Sequence, residues 1–458
     1  MSNPIAAVWK PIRDRFFSKS PKRLKDFLTL TSLRGMDIVT GILKDVLLTK
    51  TFGLGYFLDS YFIAISYLDM ASGYFQQMGY GILVPFYNDH ADSEKPPGHV
   101  TERQRQIVVA FMNYIFLTMA FLAIFIVIGH DWIAQFAAPN LAKNYHDLAF
   151  NMLIMITLPL SMIFQGSYAL RLILVQQERF GWFHIPGIVS TLLFVVLVWL
   201  FYGKYGYWAV IWAMPISQLV QVAMYWYALG MKWEFLLRIE GIGQMLRFSL
   251  PNTFICIFFY LFIPVDNYFL AHLPEGQLSA FRYAGKIINI LGTLTVFGLQ
   301  MTLIPKLMRA GSQKDWPQMQ GIMNQGLKEC LLFSLPMILL AYWLSPLMVQ
   351  LLFERGAFKT NDTGMVVHFM QILSLQLPYL GLWMLISRSF NSLYLLKPFM
   401  ILGVFSLGLR IGLDYIGLQW AGTDGLAWMI TTHYYAMLLT GFGFLVFLMR
   451  KYPPGKTT

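Results

Sequence analysis

Apolar runs separated by short polar loops extend along almost the whole chain. Stretches of about 20 apolar residues recur, which is the length with which a helix crosses a hydrocarbon core of roughly 30 Å. Within runs such as 121–129 and 192–202, polar residues do not occupy every second position, as they would in the strands of a membrane barrel. The pattern therefore predicts an all-α integral membrane protein.

About twelve transmembrane helices are predicted by this length rule. The first two are the weakest by hydropathy, because they contain Arg34, Lys44, Asp45, Asp59 and Asp69. They are included because an internal repeat, described next, requires them. The predicted spans lie near residues 28–49, 56–87, 106–129, 147–175, 183–203, 206–230, 245–272, 278–307, 323–353, 363–394, 396–417 and 423–449.

An internal repeat relates the two parts of the chain. Each half would hold six spans, so both enter the membrane in the same direction, which predicts parallel repeats around a central cavity. The predicted divisions are a basic segment at 1–26, six-helix halves at 27–235 and 236–450, and a short tail at 451–458. The repeated pairs, offset by 219 to 221 positions, are Asp45 and Asp266, Gly55 and Gly276, Pro85 and Pro305, Pro159 and Pro378, Phe180 and Phe399, and Gly206 and Gly425.

Composition supports a membrane protein. The chain has 57% hydrophobic and only 12% charged residues, whereas a soluble domain carries about 25% charged residues. The net charge of +11 comes mostly from short loops on the side that both termini share, so the positive-inside rule places both termini in the cytoplasm. A nucleic-acid partner is therefore not expected, and the basic segment at 1–26 is interpreted either as an amphipathic segment on anionic lipid or as a solvated tail.

Catalytic and metal-binding patterns are absent from the sequence. Cys256 and Cys330 lie in apolar stretches and resemble small buried hydrophobes. There is no P-loop, no metal-ligand spacing of histidines and no set of converging acid, base and nucleophile. These observations favour a transporter over an enzyme, with no cofactor beyond a coupling ion or the membrane potential.

Charged residues in the opening spans of each half are the main candidates for a binding site. Arg282 and Lys286 are four residues apart and therefore lie on one helical face. Two like charges on one face are unfavourable unless an anion balances them, so this face and the neighbouring pair of Lys44 and Asp45 suggest an anionic substrate group such as a phosphate. The alternative is a structural pairing of Arg282 or Lys286 with Asp266 or Asp59.

A second group of charges lies in the last predicted spans. Arg410 and Asp414 are four residues apart on one helix, a spacing that favours a simple structural pair. With Asp266 they are also candidates for coupling to an ion. Other basic residues near the ends of spans are expected to reach the lipid headgroups; these are Arg171, Arg247 and Lys328.

Several segments resemble the MurJ (MviN) lipid II flippases. The segment LKDVLLTKTFGLGYFLDSYFIA at 43–64 is similar to the opening of that family, and LPEGQLSAFRYAGKI at 273–287, followed by LIPKL, is similar to its seventh and eighth spans. LLFERGAF at 351–358 and LPYLGLWMLISRSFNSL at 377–393 resemble motifs of its second half. Together these segments cover most of the chain in a consistent order.

The resemblance implies a member of the multidrug/oligosaccharidyl-lipid/polysaccharide exporter superfamily in the inner membrane. Such a protein would flip a polyprenyl-pyrophosphate-linked glycan to the outer leaflet, with a cationic cavity for the pyrophosphate. Lys44 and Lys286 stand where the family has cavity arginines, and Asp45, Asp59 and Arg388 match family residues. Membrane lipids are the other expected partners, and the sequence indicates no oligomeric state.

Departures from the family pattern leave the head group of the substrate open. Gly285 replaces an acidic residue, and two family arginines align near Ile38 and near Ser72 or Gly73. Lysine does not reproduce the bidentate contact of arginine with a phosphate, and the chain has about twelve predicted spans where the family adds two more. The substrate is thus expected to be lipid II or a related lipid-linked oligosaccharide. A cation-coupled multidrug exporter and a non-transporting scaffold for lipid-linked precursors are the alternatives.

Overall fold

A computed structural model describes residues 21–79, 83–89, 100–138, 148–177, 179–232, 234–237, 243, 257–313, 315–393 and 395–451. Every regular element in this part of the chain is helical, which confirms the predicted all-α class. Most of the basic segment at 1–26, the tail after 451, Cys256 and Arg247 lie outside the described residues.

The helices up to residue 229 form a first set. They are α1 (Pro21–Phe52), α2 (Tyr56–Met78), α3 (Val84–Asp89), α4 (Glu102–Ile128), α5 (His130–Ala137), α6 (Leu148–Met152), α7 (Leu158–Gln165), α8 (Leu170–Gln176), α9 (Phe180–Tyr205) and α10 (Trp208–Leu229). A π-helical turn at Leu153–Thr157 and a 3-10 turn at Gly166–Ala169 join α6, α7 and α8 into one continuous helical rod.

The helices from residue 262 onward form a second set. They are α11 (Phe262–Leu270), α12 (Gln277–Thr302), α13 (Ile304–Ser312), α14 (Trp316–Phe353), α15 (Thr360–Ser374), α16 (Leu377–Ser392) and α17 (Leu396–Lys451). Helices α15 and α16 meet at an angle of 44°.

Helix α17 is two antiparallel helices rather than one. Its 56 residues would measure about 84 Å as a straight helix, far more than the bilayer core. The helical dihedral angles are interrupted at Ala421 and Gly422, and Gly422 has a positive φ of 56°. Beyond this break the chain turns back, because Arg410 of the first part donates a hydrogen bond to the carbonyl of Ile430 in the second. The predicted separate spans at 396–417 and 423–449 correspond to these two parts.

Gly417 and Gly425 allow the two parts of α17 to touch through their backbones. A Cβ atom on Gly425 would lie 2.0 Å from the carbonyl oxygen of Gly417, so it could fit only if the backbones moved apart. We expect Gly425→Ala to lower the free energy of unfolding by about 1–3 kcal/mol, the usual cost of overpacking. Thermal unfolding in detergent measures the loss, and Gly412→Ala is the control because nothing lies within 4 Å of its Cβ position. Equal melting of the two variants would contradict this packing.

Six helices among the described residues are long and apolar enough to cross a membrane, or seven when the bent pair of α15 and α16 counts as one. They are the rod from α6 to α8 together with α4, α9, α10, α14 and α17, with the two parts of α17 counted as one. Helices α1, α2 and α12 are not among them, and these three carry five of the charged residues singled out in the sequence, which are Lys44, Asp45, Asp59, Arg282 and Lys286. The count of twelve spans therefore stays a prediction, while most of the described residues of each predicted span are helical.

The two sets of helices pack mainly within themselves. Contacts between the sets are made by α2 with α11 and α12, by α1 with α14, and by α5 with α11. One apolar cluster continues across this boundary, with Leu58 and Ile63 of α2 and Leu278 and Ile287 of α12 all buried in it. Helices α1, α2 and α5 of the first set and α11, α12 and α14 of the second are therefore the elements that join the two sets.

Candidate functional site

A polar cavity of about 290 Å³ opens among α1, α2, α9, α10 and the rod from α6 to α8. All of its lining residues belong to the first set of helices. Its basic side chains come from Arg34 and Lys44 on α1 and Arg171 on α8, and its acidic ones from Asp37 on α1 and Asp69 on α2. Three permanent cations and two carboxylates in a membrane-embedded space make it a candidate site for an anion.

Lys44 and Asp69 mark the end of this cavity nearest the second set. The ammonium of Lys44 lies 5.8 Å from the ring centroid of Phe194, and no salt bridge is formed to it by the described residues. Asp69 is exposed to the cavity and interacts electrostatically with Lys44, Lys286 and Arg282. One carboxylate thus faces three cations that come from both sets of helices.

Arg171 lies inside the cavity, and the prediction that it reaches the headgroups is wrong. Its guanidinium is stacked 4.8 Å from the ring of Tyr168 and 4.9 Å from that of Phe183. Its buried Nε has no hydrogen-bond partner among the described residues. A guanidinium held by two rings keeps its donors available for a planar oxyanion, which is the geometry that arginine provides for phosphate.

A histidine–carboxylate pair also lines the cavity. The Nδ1 atom of His184 on α9 contacts Oδ2 of Asp37 on α1, and Arg34 approaches the same oxygen at 4.0 Å. The charge of Arg34 offsets that of Asp37, so Lys44 and Arg171 against Asp69 leave the cavity with an excess of positive charge. Sequence analysis did not select Asp37 or His184, because they are 147 positions apart and share no motif.

Lys286 and Asp45 connect the two sets of helices. The ammonium of Lys286 on α12 lies 2.6 Å from Oδ1 of Asp45 on α1 and 4.9 Å from the ring centroid of Phe62. Its partner is thus neither Asp266 nor Asp59, the two pairings considered from the sequence. The side chain of Lys286 remains 39% exposed, so one side of the ammonium faces open space.

Asp59 acts as a cap between helices. Its two oxygens accept hydrogen bonds from the backbone N–H groups of Gly276 at 2.8 Å and Ser279 at 2.7 Å, at the N-terminus of α12. A second carboxylate, that of Glu275 just before α12, accepts a hydrogen bond of 3.3 Å from the backbone N–H of Tyr56 at the start of α2. A carboxylate at a helix N-terminus stabilises the helix by its charge as well as by its hydrogen bonds. Asp59 is buried and is not among the residues that line the cavity.

The loop after α14 contacts the C-terminal end of α1. The backbone N–H of Ala357 donates to the carbonyl of Lys50, and a Cβ on Gly356 would lie 2.4 Å from that carbonyl. Gly356 also has a φ of +66°, which favours glycine. Two hydrogen bonds of 2.7 Å from Thr360 and Thr363 hold the pKa of Glu354 in this loop below its usual range. The FERGAF motif is therefore a close backbone contact with the end of α1.

Arg282 and Arg388 are placed differently from Lys286. The guanidinium of Arg282 donates to Oδ1 of Asn267 and to the carbonyl of Ile263, so its hydrogen bonds hold α12 against α11. Arg388 is exposed on α16 and is not among the residues that line the cavity. The structure therefore brings Lys44, Asp45, Arg282 and Lys286 near one another and leaves Arg388 apart.

Asp266, Arg410 and Asp414 meet in a buried cluster between α11 and the two parts of α17. Arg410 makes a bidentate contact with Asp266, with distances of 2.7 Å and 2.8 Å. Its Nε atom also lies 3.4 Å from Oδ2 of Asp414, and its Nη1 lies 3.1 Å from Nδ1 of His433. The local pairing of Arg410 with Asp414 is thus secondary to the contact with Asp266.

Comparison with known proteins gives consistent matches. A family model described as lipid II flippase MurJ matches residues 48–455. The chain is 21% identical over 361 residues to the lipid II flippase MurJ of Burkholderia cenocepacia, covering 74% of this chain and 67% of the relative. Among solved structures, a lipid II flippase MurJ in an inward closed conformation superposes with a TM-score of 0.76 at 20% identity, over 93% of this chain and 88% of that chain. An inward-facing MATE multidrug transporter of the MOP superfamily superposes with a TM-score of 0.73 at 13% identity, over 94% and 99%.

Proposed function

The chain belongs to the lipid II flippase MurJ family, and on this premise we propose that it moves lipid II from the cytoplasmic to the outer leaflet for peptidoglycan synthesis. It is a polytopic membrane protein that acts as a transporter, and the pyrophosphate of the lipid-linked glycan is the group that its cationic cavity receives. We also propose that residues 27–235 and 236–450 are its two halves and that both termini lie in the cytoplasm, as the loop charges predict.

The excess of cations over carboxylates is the observation that carries this proposal: the cavity holds Arg34, Lys44 and Arg171 against Asp37 and Asp69. Lys286 and Arg282 of the second set also interact electrostatically with Asp69. Charge-assisted contacts from lysine and arginine are the strongest that proteins make to phosphates. An exporter of cationic drugs would instead need carboxylates in excess in the cavity. The superfamily fold fits either substrate, so the sign of the cavity charge decides between them.

The contacts between the two sets support an alternating-access cycle. Asp59, Glu275 and the loop at 354–359 join α1, α2 and α12 at one end. The cavity extends along α1 from Lys44 toward Arg34, away from that joined end. With both termini in the cytoplasm, the joined end faces outward and the cavity faces the cytoplasm. Substrate enters from the cytoplasm, and separation of the joined end releases it outward.

Asp69→Asn tests whether the cavity is an anion site. We expect the variant to bind inorganic pyrophosphate roughly thirtyfold more tightly, because removing a charge roughly 8 Å from the anion is worth about 2 kcal/mol at an effective dielectric constant near 20. Titration calorimetry on the purified protein measures the affinity. Asp131→Asn is the control because that carboxylate is 73% exposed at the start of α5. Unchanged or weaker binding by Asp69→Asn would exclude Asp69 as a competitor of the anion.

Flipping is tested directly with fluorescent lipid II in proteoliposomes, by following its exposure to an impermeant quencher. We expect protein-dependent exchange of lipid II between the leaflets and none of a phosphatidylcholine probe. Exchange of both lipids at the same rate would contradict a specific flippase.

A further inference from the structure

Two glutamine side chains in the cavity have carboxamide oxygens without a donor. Gln165 on α7 and both Gln218 and Gln221 on α10 line the cavity. Gln221 donates to the hydroxyl of Tyr225 at 3.4 Å, but the buried Oε1 atoms of Gln165 and Gln218 accept no hydrogen bond from the described residues. Gln165 is only 3% exposed, and a buried amide oxygen without a donor lowers stability. A ligand that donates to these oxygens would remove that deficit.

The rod from α6 to α8 directs Gln165 into the cavity. A Cβ atom on Gly166 would lie 2.2 Å from Cγ2 of Ile115, so the rod packs on α4 through its backbone at this point. The 3-10 turn that follows has about three residues per turn, which brings Gln165, Tyr168 and Arg171 onto one face. All three line the cavity, so the rod presents a carboxamide, a phenol and a guanidinium to the same space.

A proline in α10 ties this helix to the rod beside Gln218. Pro215 has no N–H group, so it cannot donate to the carbonyl of Ile211, four residues earlier. The hydroxyl of Thr157 in the rod donates to that carbonyl at 3.0 Å instead, in a buried hydrogen bond. Gln165 and Gln218 are thus presented by two elements that are fixed to each other.

The atoms without partners determine which chemical groups fit. The two carboxamide oxygens need donors, whereas the buried Nε of Arg171 is a donor that needs an oxygen. A phosphate offers acceptors only, and an ammonium group offers donors only and is repelled by Arg171. Hydroxyl and secondary amide groups offer donors and acceptors in a neutral form, and they also fit a glutamine amide that is turned over. Sugars with acetamido groups carry both kinds of group together.

Cations and carboxamides occupy different parts of the cavity wall. Lys44 lies at the end nearest the second set, where Lys286 also interacts with Asp69. Gln165 and Gln218 belong to the rod and α10, which pack within the first set. The cavity of about 290 Å³ is at the lower limit of small-molecule sites, which span about 300–1,000 Å³. A pyrophosphate at the cationic end therefore places the sugar attached to it close to the carboxamides.

We propose that Gln165 and Gln218 form a glycan subsite, which hydrogen-bonds the hydroxyl and acetamido groups of the sugar next to the pyrophosphate. That this sugar belongs to a transported lipid rests on the proposed function. The subsite supplies a selectivity that the cations lack, because Lys44 and Arg171 attract any phosphate. A site built to hydrogen-bond particular groups rejects a ligand without them, since its own buried polar atoms are then left unpaired.

Titration of the purified protein with UDP-N-acetylglucosamine, a pyrophosphate attached to an acetamido sugar, tests the subsite without a lipid. Gln165→Leu and Gln218→Leu should each weaken its binding by about tenfold, because each leaves a donor of the sugar unpaired. Neither variant should change the affinity for inorganic pyrophosphate. UDP-glucose, which has a hydroxyl in place of the acetamido group, should bind the wild type at least about threefold more weakly. Equal binding of the two nucleotide sugars would contradict the preference for acetamido sugars.

Gln320→Leu is the matched control, because Gln320 is an exposed glutamine on α14 and is not among the residues that line the cavity. It should bind both ligands like the wild type. Lys44→Ala should give a different pattern, since the loss of a cation weakens the binding of pyrophosphate and nucleotide sugar alike. Wild-type affinity for UDP-N-acetylglucosamine in Gln165→Leu and Gln218→Leu would overturn the proposal, as would an equal loss of affinity for pyrophosphate.

Thermal unfolding separates this role from a structural one. Leucine is close to glutamine in size and has no polar side-chain atom, so Gln165→Leu removes a buried oxygen that lacks a donor. We expect this variant to melt at or above the temperature of the wild type. If the carboxamide instead held the helices together, its loss would leave its partners unpaired and lower the melting temperature. A marked loss of stability in Gln165→Leu would therefore count against the subsite.

Flipping assays separate the subsite from the proposed function. The double variant Gln165→Leu, Gln218→Leu should flip lipid II at least about tenfold more slowly than the wild type. A wild type that binds UDP-N-acetylglucosamine through the carboxamides but flips no lipid II would contradict the proposed function and leave the subsite standing. Equal flipping by the wild type and the double variant would overturn the subsite and leave the proposed function standing.

Discussion

Lys286→Ala is expected to abolish the flipping of lipid II, with a loss of at least about thirtyfold in rate. The residue lies 2.6 Å from Asp45 and faces open space on its other side, so its removal takes away a cation for the pyrophosphate and leaves Asp45 unpaired. Truncating one partner of such a charged pair costs about 2–5 kcal/mol. Lys44→Ala should also slow flipping, because it removes a second cation from the cavity. Since Lys44 forms no salt bridge with the described residues, this loss would not come from a broken ion pair. Proteoliposome assays measure the rates.

A double variant separates binding of the substrate from pairing of the helices. Asp45→Asn combined with Lys286→Met removes both charges, so no unpaired charge remains between α1 and α12. We expect this protein to fold and to remain inactive, because the cation is still missing. Lys328→Ala, which alters an exposed lysine on α14, should be fully active. Normal flipping by the double variant would mean that Lys286 serves only to pair with Asp45.

Asp59→Ala is expected to open the joined end of the molecule. The substitution leaves the backbone N–H groups of Gly276 and Ser279 without their acceptor. Each buried group left without a hydrogen bond lowers stability by about 1–3 kcal/mol. That cost falls only on the conformation in which α2 and α12 are in contact, so the population should shift by at least about tenfold toward a separated state. Flipping should fall because the cavity spends less time open to the cytoplasm.

Spin labels at positions 50 and 359, both exposed at the joined end, measure this shift as a longer distance between the labels. The labels are attached to cysteines in a background without Cys256 and Cys330. Glu275→Gln is the matched control, because its single exposed bond of 3.3 Å to Tyr56 is a weaker contact across the same boundary. A short distance retained in Asp59→Ala would show that the cap does not hold the joined end.

The sequence was sufficient to predict most of the helices, because apolar runs of membrane length are a local property of the chain. Helices α4 and α9 coincide closely with the predicted spans at 106–129 and 183–203. The break at Ala421 and Gly422 falls in the predicted gap between the last two spans. The membership in the MurJ family that the motifs indicated is confirmed by the match to residues 48–455.

The partners of the charged residues could not be predicted in the same way. Helical periodicity placed Arg282 and Lys286 on one face, but it contains no information about a helix that is 241 positions away along the chain. The contact of Lys286 with Asp45 therefore had to come from the structure. Arg410 shows the same limit, since its local pairing with Asp414 was apparent from spacing whereas its stronger contact with Asp266 was not.

Arg171 and Asp59 illustrate two further limits of the sequence. Proximity to the end of a span suggested that Arg171 reaches the headgroups, yet the rings of Tyr168 and Phe183 hold it inside the cavity. An aromatic residue three positions earlier on the helix was the available signal. Asp59 was selected as a cavity residue through the resemblance alone, and the structure places it at a helix N-terminus instead. A role of Asp59 in substrate binding stays a prediction, while its two hydrogen bonds show that it caps the N-terminus of α12.

Growth of bacterial cells depleted of their own lipid II flippase is the most direct test of the proposed function. Expression of this chain should restore growth and lipid II export, and expression of Lys286→Ala at an equal membrane level should not. Failure of the wild-type chain to restore growth, with rescue instead of a capsule or exopolysaccharide defect, would contradict lipid II as the substrate and indicate a different lipid-linked glycan.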